Sequence, residues 1–223
     1  MPKTTDTPSE RMIETLCIAQ VMRLFGDSMT FFTPTTVQEA SVGYDAAFSG
    51  GLGFRELLFQ FKRLQFSGGM WGLEVDEAQF QRLKRYKDGQ AYYVVALFKT
   101  PETLDQATRG TSPGEVLARY AAIEVGQFRL KRKAKRIYFG ETVGFPEIAI
   151  FDNGSSKTEA VPLRVSELVQ RLADGRAGVQ VGDTQEDSPM LSRLPKFTAQ
   201  DWAGVKQAFG SKAQPPTQLR KWR

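Results

Sequence analysis

The chain has 223 residues, 41% hydrophobic and 25% charged, a balance that suits one sizeable core or two small domains and excludes a disordered chain. It holds no histidine and a single cysteine, which excludes Ser-His-Asp and Cys-His nucleophiles, histidine-ligated zinc and an intrachain disulfide. The net charge of +5 favours polyanion partners, while the short apolar runs and the polar start of the chain point to a cytoplasmic protein without a membrane partner.

The first helix is announced by Thr7-Pro8-Ser9-Glu10, which has the Thr-x-x-Glu pattern of a capping box with proline at the first helical position. Ile13, Leu16, Cys17, Val21, Leu24 and Phe25 follow at helical spacing, and Gly26 is a natural stop. Cys17 falls on the apolar face with no histidine to activate it, so it belongs to the core. Thr30 to Thr33 suits a short edge strand, and Thr35 to Ala40 one helical turn. Val42 to Ser49 and Glu56 to Leu64 read as a hairpin around the turn Gly50-Gly51-Leu52-Gly53. That glycine-rich turn lacks the strand-to-helix setting of a phosphate cradle. Because side chains alternate along a strand, Gln60 and Lys62 share one face while Phe59 and Phe61 take the core face.

A second helix begins after Asp76, a good N-cap, with Val75 and Phe80 placed as a hydrophobic staple. Lys84, Arg85 and Lys87 fill its last turn, and Gly89 ends it. Ala91 to Phe98 then reads as a fully buried strand, so that strand, helix and strand form a crossover in a mixed sheet. Further on, Ser112-Pro113-Gly114-Glu115 opens a helix to about Ala121, and Ile137 to Phe139 and Glu147 to Phe151 are short strands. Ser166 caps a helix to Asp174, and Thr198 opens a last helix that ends near Gly210. The expected organisation is a core over 1–100, an α+β extension packed on it over 101–210, and a basic mobile tail over 211–223.

Helix, short strand, hairpin carrying Asp45 and then Gln60-Phe61-Lys62, helix and buried strand form an ordered set. It resembles the αβββαβ core of the PD-(D/E)XK nuclease superfamily, in which an acidic residue lies on one central strand and an (E/Q)-x-K pair on the next. The resemblance spans roughly Pro8 to Phe98. It implies an α/β fold with a mixed central sheet flanked by helices and a restriction-endonuclease-like core, carrying an α+β C-terminal extension. It also implies metal-dependent phosphodiester hydrolysis. Asp45 would hold Mg²⁺ or Mn²⁺, Gln60 would offer its carbonyl oxygen, and Lys62 would act on the attacking water or the charge developing on the phosphate. A further carboxylate is needed for strong metal binding. Glu39 is the nearer candidate, and Glu14 on the first helix is the other. Position 60 carries Gln where the commoner pattern has Glu, and Tyr44 stands where that pattern has Pro.

Two basic segments bear on the partner. Arg129, Lys131, Arg132, Lys133, Lys135 and Arg136 crowd eight positions, and Arg220, Lys221 and Arg223 surround Trp222 in the tail. Each suits contact with a phosphate backbone, and the tail adds an aromatic ring for stacking on a base. Each also suits a solvated loop or a tail that docks nowhere. The expected partner is nucleic acid, DNA ahead of RNA, in restriction, repair or defence against mobile DNA. A homodimer or a partner subunit is the assembly to test. The alternative is a catalytically inactive nucleic-acid-binding or protein-interaction module that keeps the fold.

Overall fold

The computed structural model describes residues 7–50, 55–67, 70–98, 100–127, 136–140, 147–152 and 156–180. Within the unit Met1–Gln180 the chain builds two sheets. The larger is mixed. Strands β1 (Met29–Phe32), β2 (Ala46–Gly50) and β3 (Arg55–Lys62) form an antiparallel meander, and β3 then pairs in parallel with β6 (Ala91–Ala96). The antiparallel strands β7 (Tyr120–Glu124) and β11 (Leu163–Arg164) follow, and β12 (Val179–Gln180) pairs with the start of β3. A parallel neighbour requires a crossover. Here it runs through β4 (Gln65–Ser67), β5 (Met70–Glu74) and helix α3 (Glu77–Leu83).

Alternation along β3 sorts the sheet into two faces. Leu57, Phe59 and Phe61 join Ala46, Phe48, Tyr92, Val94 and Ala96 in a cluster covered by four helices. These are α1 (Glu10–Phe25), α4 (Pro101–Gly110), α5 (Pro113–Leu117) and α6 (Val165–Ala173), which contribute Cys17, Leu104, Leu117 and Leu168 among others. The aromatic rings pack tilted or edge to face, with Phe48 5.1 Å and Tyr92 6.4 Å from Phe59. The opposite face carries Leu58, Gln60 and Tyr93. There α2 (Thr36–Val42) packs against α3, and the α3 cap Asp76 acts on the Tyr93 hydroxyl.

The smaller sheet is antiparallel throughout, in the order β10 (Ser156–Ala160), β9 (Glu147–Asp152), β8 (Arg136–Gly140), β5, β4. Its strands β8 and β9 coincide with expected ones, whereas β4, β5 and β10 carry no strong alternation and escape the sequence.

Several boundaries differ from expectation for identifiable reasons. The first helix is capped by Ser9, whose hydroxyl accepts from the Met12 N–H. Thr7 and Glu10 turn instead to the end of β3: the Arg63 Nε donates to the Thr7 hydroxyl at 2.6 Å, and the Arg63 N–H donates to Glu10. Val42 closes α2 and does not open a strand, because Thr35 and Gln38 form a complete capping box that starts the helix firmly and Gly43 ends it. The second helix stops at Leu83, before its expected basic turn. The helix opened by Ser112 ends at Leu117, since Tyr120 already belongs to β7. Residues after 100, expected as an extension packed on the core, supply β7 and β11 to the same sheet and three helices to its core. The turn residues 51–54, the basic run 129–135, the last expected helix and the tail lie outside the described residues.

Candidate functional site

The site begins with the junction between α2 and β2. Gly43 caps α2 in the left-handed region (φ 85°), and its N–H donates to the Glu39 carbonyl. Only glycine adopts this φ without penalty. The left-handed turn reverses the chain, so that Tyr44 is buried and Asp45 arrives beside β3. Tyr86 fixes the turn from the side: its hydroxyl donates to the Val42 carbonyl at 3.1 Å, and its ring meets Tyr44 edge-on at 6.0 Å. The Asp45 N–H donates to the Phe59 carbonyl at 2.8 Å, continuing the ladder one residue beyond β2. This register sets Asp45 opposite Gln60.

Four groups then act on the Asp45 side chain. Its Oδ2 accepts from the Gln60 Nε2 at 2.7 Å and from the Phe61 N–H at 2.6 Å. Glu39, half-buried midway along α2, hydrogen-bonds the same carboxyl group, and Lys62 acts on it as the nearby cation. Glu39, Asp45, Gln60 and Lys62 are thus brought together. Glu14 is not among the groups acting on Asp45. Its carboxylate, 14% exposed, pairs with Arg11 at 3.2 Å on the helix that covers the Phe59 face.

The electrostatics are unusual for an aspartate. Burial raises the Asp45 pKa most, and the Glu39 carboxylate raises it further. The Phe61 N–H and the Lys62 ammonium pull the other way, and the balance leaves it pushed up to about 8. Gln60 is 2% exposed. Its amide nitrogen donates to Asp45 and to the Phe61 carbonyl, while its Oε1 is buried with no hydrogen-bond donor. A buried carbonyl oxygen without a donor is costly. The site therefore gathers two mutually repelling carboxyl groups, which gain from a hard cation that takes oxygen ligands, beside a buried amide oxygen that lacks a donor. Oxygen donors of this kind suit Mg²⁺ or Mn²⁺, and Asp45, Glu39 and Gln60 are the residues that could hold such an ion. Among the described residues no group of three or more acidic or cysteine side chains is placed to share an ion.

The remaining expected residues are quickly placed. Arg136 opens β8, where its backbone partner is Glu74. Arg129, Lys131, Arg132, Lys133, Lys135, Arg220, Lys221 and Arg223 lie outside the described residues. Cys17 is fully buried in the core, and burial pushes its thiol pKa up. No described helix is long and apolar enough to cross a membrane. Sequence reasoning missed Arg82, which stands against Gly43. Comparison with protein-family models, with curated proteins and with solved structures found no match.

Proposed function

We propose that the chain is a metal-dependent phosphodiester hydrolase of the PD-(D/E)XK type, acting on DNA. The observation that carries this reading is the convergence of Glu39, Asp45, Gln60 and Lys62 at one end of β2 and β3. The order helix, three strands, helix and parallel strand adds support, with α2 and the β4–β5 hairpin as insertions. A bound Mg²⁺ or Mn²⁺ would supply Lewis-acid polarisation of a phosphate oxygen and a more acidic water.

The chain's own residues do the rest. The Phe61 N–H and the Gln60 amide fix the Asp45 carboxylate in one orientation, so its second oxygen is presented without rotational freedom. Lys62 Nζ, on the same face as Gln60, offsets the negative charge that builds on the phosphate oxygens as water attacks phosphorus. Glu39, which acts on Asp45, would accept a proton from that water or share the cation.

A second reading, a nucleic-acid-binding or protein-interaction module without catalysis, draws on the acid count. Gln60 leaves two carboxylates where the commoner pattern has an additional one. A cleavage assay on circular and linear DNA with Mg²⁺ or Mn²⁺ separates the two. The hydrolase reading expects metal-dependent cleavage that Asp45→Ala and Lys62→Ala each reduce by about 100-fold or more, with Lys62→Ala binding DNA within a few-fold of wild type. No cleavage and no metal binding under any condition would sink it.

A further inference from the structure

At Gln60 the geometry and the family resemblance part company. The resemblance gives this side chain's carbonyl oxygen to the cation, yet it is the amide nitrogen that faces Asp45. Nε2 donates to the Asp45 Oδ2 at 2.7 Å and to the Phe61 carbonyl at 3.3 Å. A backbone carbonyl only accepts, so the atom placed between these two oxygens has to be the nitrogen. In a planar amide the oxygen lies across the carbon from the nitrogen and its partners. Gln60 Oε1 is accordingly turned from the Asp45 carboxyl, and it is fully buried on a side chain 2% exposed. Its neighbour on β6 is Tyr93, which is equally buried.

An ion shared by Asp45 and Glu39 reaches Oε1 only if the amide turns over, which gives up both of its hydrogen bonds. Charge points the same way. Glu39 already hydrogen-bonds the Asp45 carboxyl group. A carboxylate at position 60 would face the Asp45 Oδ2 and the Phe61 carbonyl, two acceptors, with no proton to offer either. An amide of the same length supplies that proton and adds no charge.

We propose that Gln60 is a positioning residue that holds Asp45 through its amide nitrogen, and that the cation is held by Asp45 and Glu39 without the Gln60 oxygen. The inference rests on the hydrolase reading and narrows its ligand set. It makes the glutamine a requirement of this site and not a weakened glutamate. Calorimetric titration with Mn²⁺, in the absence of substrate, compares the full chain with its Gln60→Glu and Gln60→Ala variants. In the wild type, the side-chain amide signals of Gln60 are assigned by NMR through its own side-chain carbons and followed as Mg²⁺ is added.

Both variants should bind Mn²⁺ about tenfold or more weakly, as when a group that orients a metal ligand is lost. Affinity in Gln60→Glu equal to or above that of the wild type would overturn the proposal, because a ligand position gains from an added carboxylate. An unweakened Gln60→Ala would overturn it too. In the wild type the amide protons should stay protected from exchange at saturating Mg²⁺, with one still shifted downfield by its bond to Asp45. Loss of that protection would mean that the amide has turned its oxygen to the ion, and it decides the question even where neither variant folds. A wild type that binds no divalent cation would sink the hydrolase reading and the proposal together, whereas tighter binding by Gln60→Glu sinks the proposal alone.

Discussion

At Asp45 the competition between burial and hydrogen bonding has a measurable consequence for the metal-free protein. An aspartate in the unfolded chain titrates near 4, whereas in the fold Asp45 is pushed up to about 8 by burial and by Glu39. Between these values the folded protein holds a proton that the unfolded chain has released. The stability this group contributes is full below about pH 4 and is lost as pH rises through about 8. Asp45→Asn keeps an oxygen for the Phe61 N–H and removes the titration. Without metal it should therefore gain about 5 kcal/mol on the wild type between pH 4, where the two match, and pH 8, by urea denaturation. Excess Mg²⁺ or Mn²⁺ should narrow the difference at pH 8, because only the wild type offers the Asp45 carboxylate as a ligand. Parallel pH profiles for the two proteins without metal would contradict this account. The residue types at this site were legible through the resemblance, and strand alternation put Gln60 and Lys62 on one face, but the register that sets Asp45 opposite Gln60 depends on the pairing of β2 with β3. The pairing of Glu39 with Asp45 was open, because which of two acids approaches depends on a helix end and not on a pattern.

That helix end is the element that decides the site. Read as a strand from Val42, the segment would carry Asp45 in mid-strand and leave Glu39 in a single helical turn before it. In the structure Thr35 and Gln38 cap a real helix of seven residues, and Gly43 closes it. Alternation over Val42 to Ser49 imitates a strand because the buried α2 end and the buried β2 are joined by only three residues, Gly43 to Asp45. Gly43 is where the two readings differ physically. Its φ of 85° disfavours any side chain, and a Cβ there would press on the Arg82 Cβ at 3.1 Å. Gly43→Ala should cost about 1–2 kcal/mol in chemical denaturation and weaken metal binding as well, since the same turn aims Asp45. A neutral substitution would show that α2 does not end as described. The α3 crossover shows the reverse case, in which local signals sufficed. The Asp76 cap and the buried run from Ala91 call for a parallel pairing, and β3 and β6 are parallel neighbours.

At the scale of the molecule, the mixed sheet flanked by helices was legible because its central strands are long, apolar and bounded by glycine. Less of the second sheet was. Strands such as Gln65–Ser67 and Ser156–Ala160 are short or polar, and they are specified by their partners across the sheet rather than by their own composition. Tyr120 and Ala121, the start of β7, were absorbed into the preceding helix because Tyr-Ala-Ala-Ile-Glu contains good helix formers; pairing with β6 overrides that propensity. All the helices of the core cluster and both sheets fall within Met1–Gln180, which forms one compact unit. The stretch 181–223 carries seven Lys and Arg against four Asp and Glu, and so holds +3 of the net +5. A chain ending at Gln180 should therefore melt within about 3 °C of the full chain, because the buried apolar cluster is intact. It should keep metal binding at Asp45. Its affinity for DNA should fall by about tenfold at low salt with a shallower salt dependence, because fewer counterions are released. Calorimetry and binding titrations on the two chains separate the contributions. A truncated chain that binds DNA as tightly as the full one, with the same salt slope, would place the phosphate contacts entirely within the first 180 residues and leave the basic tail without a role in binding.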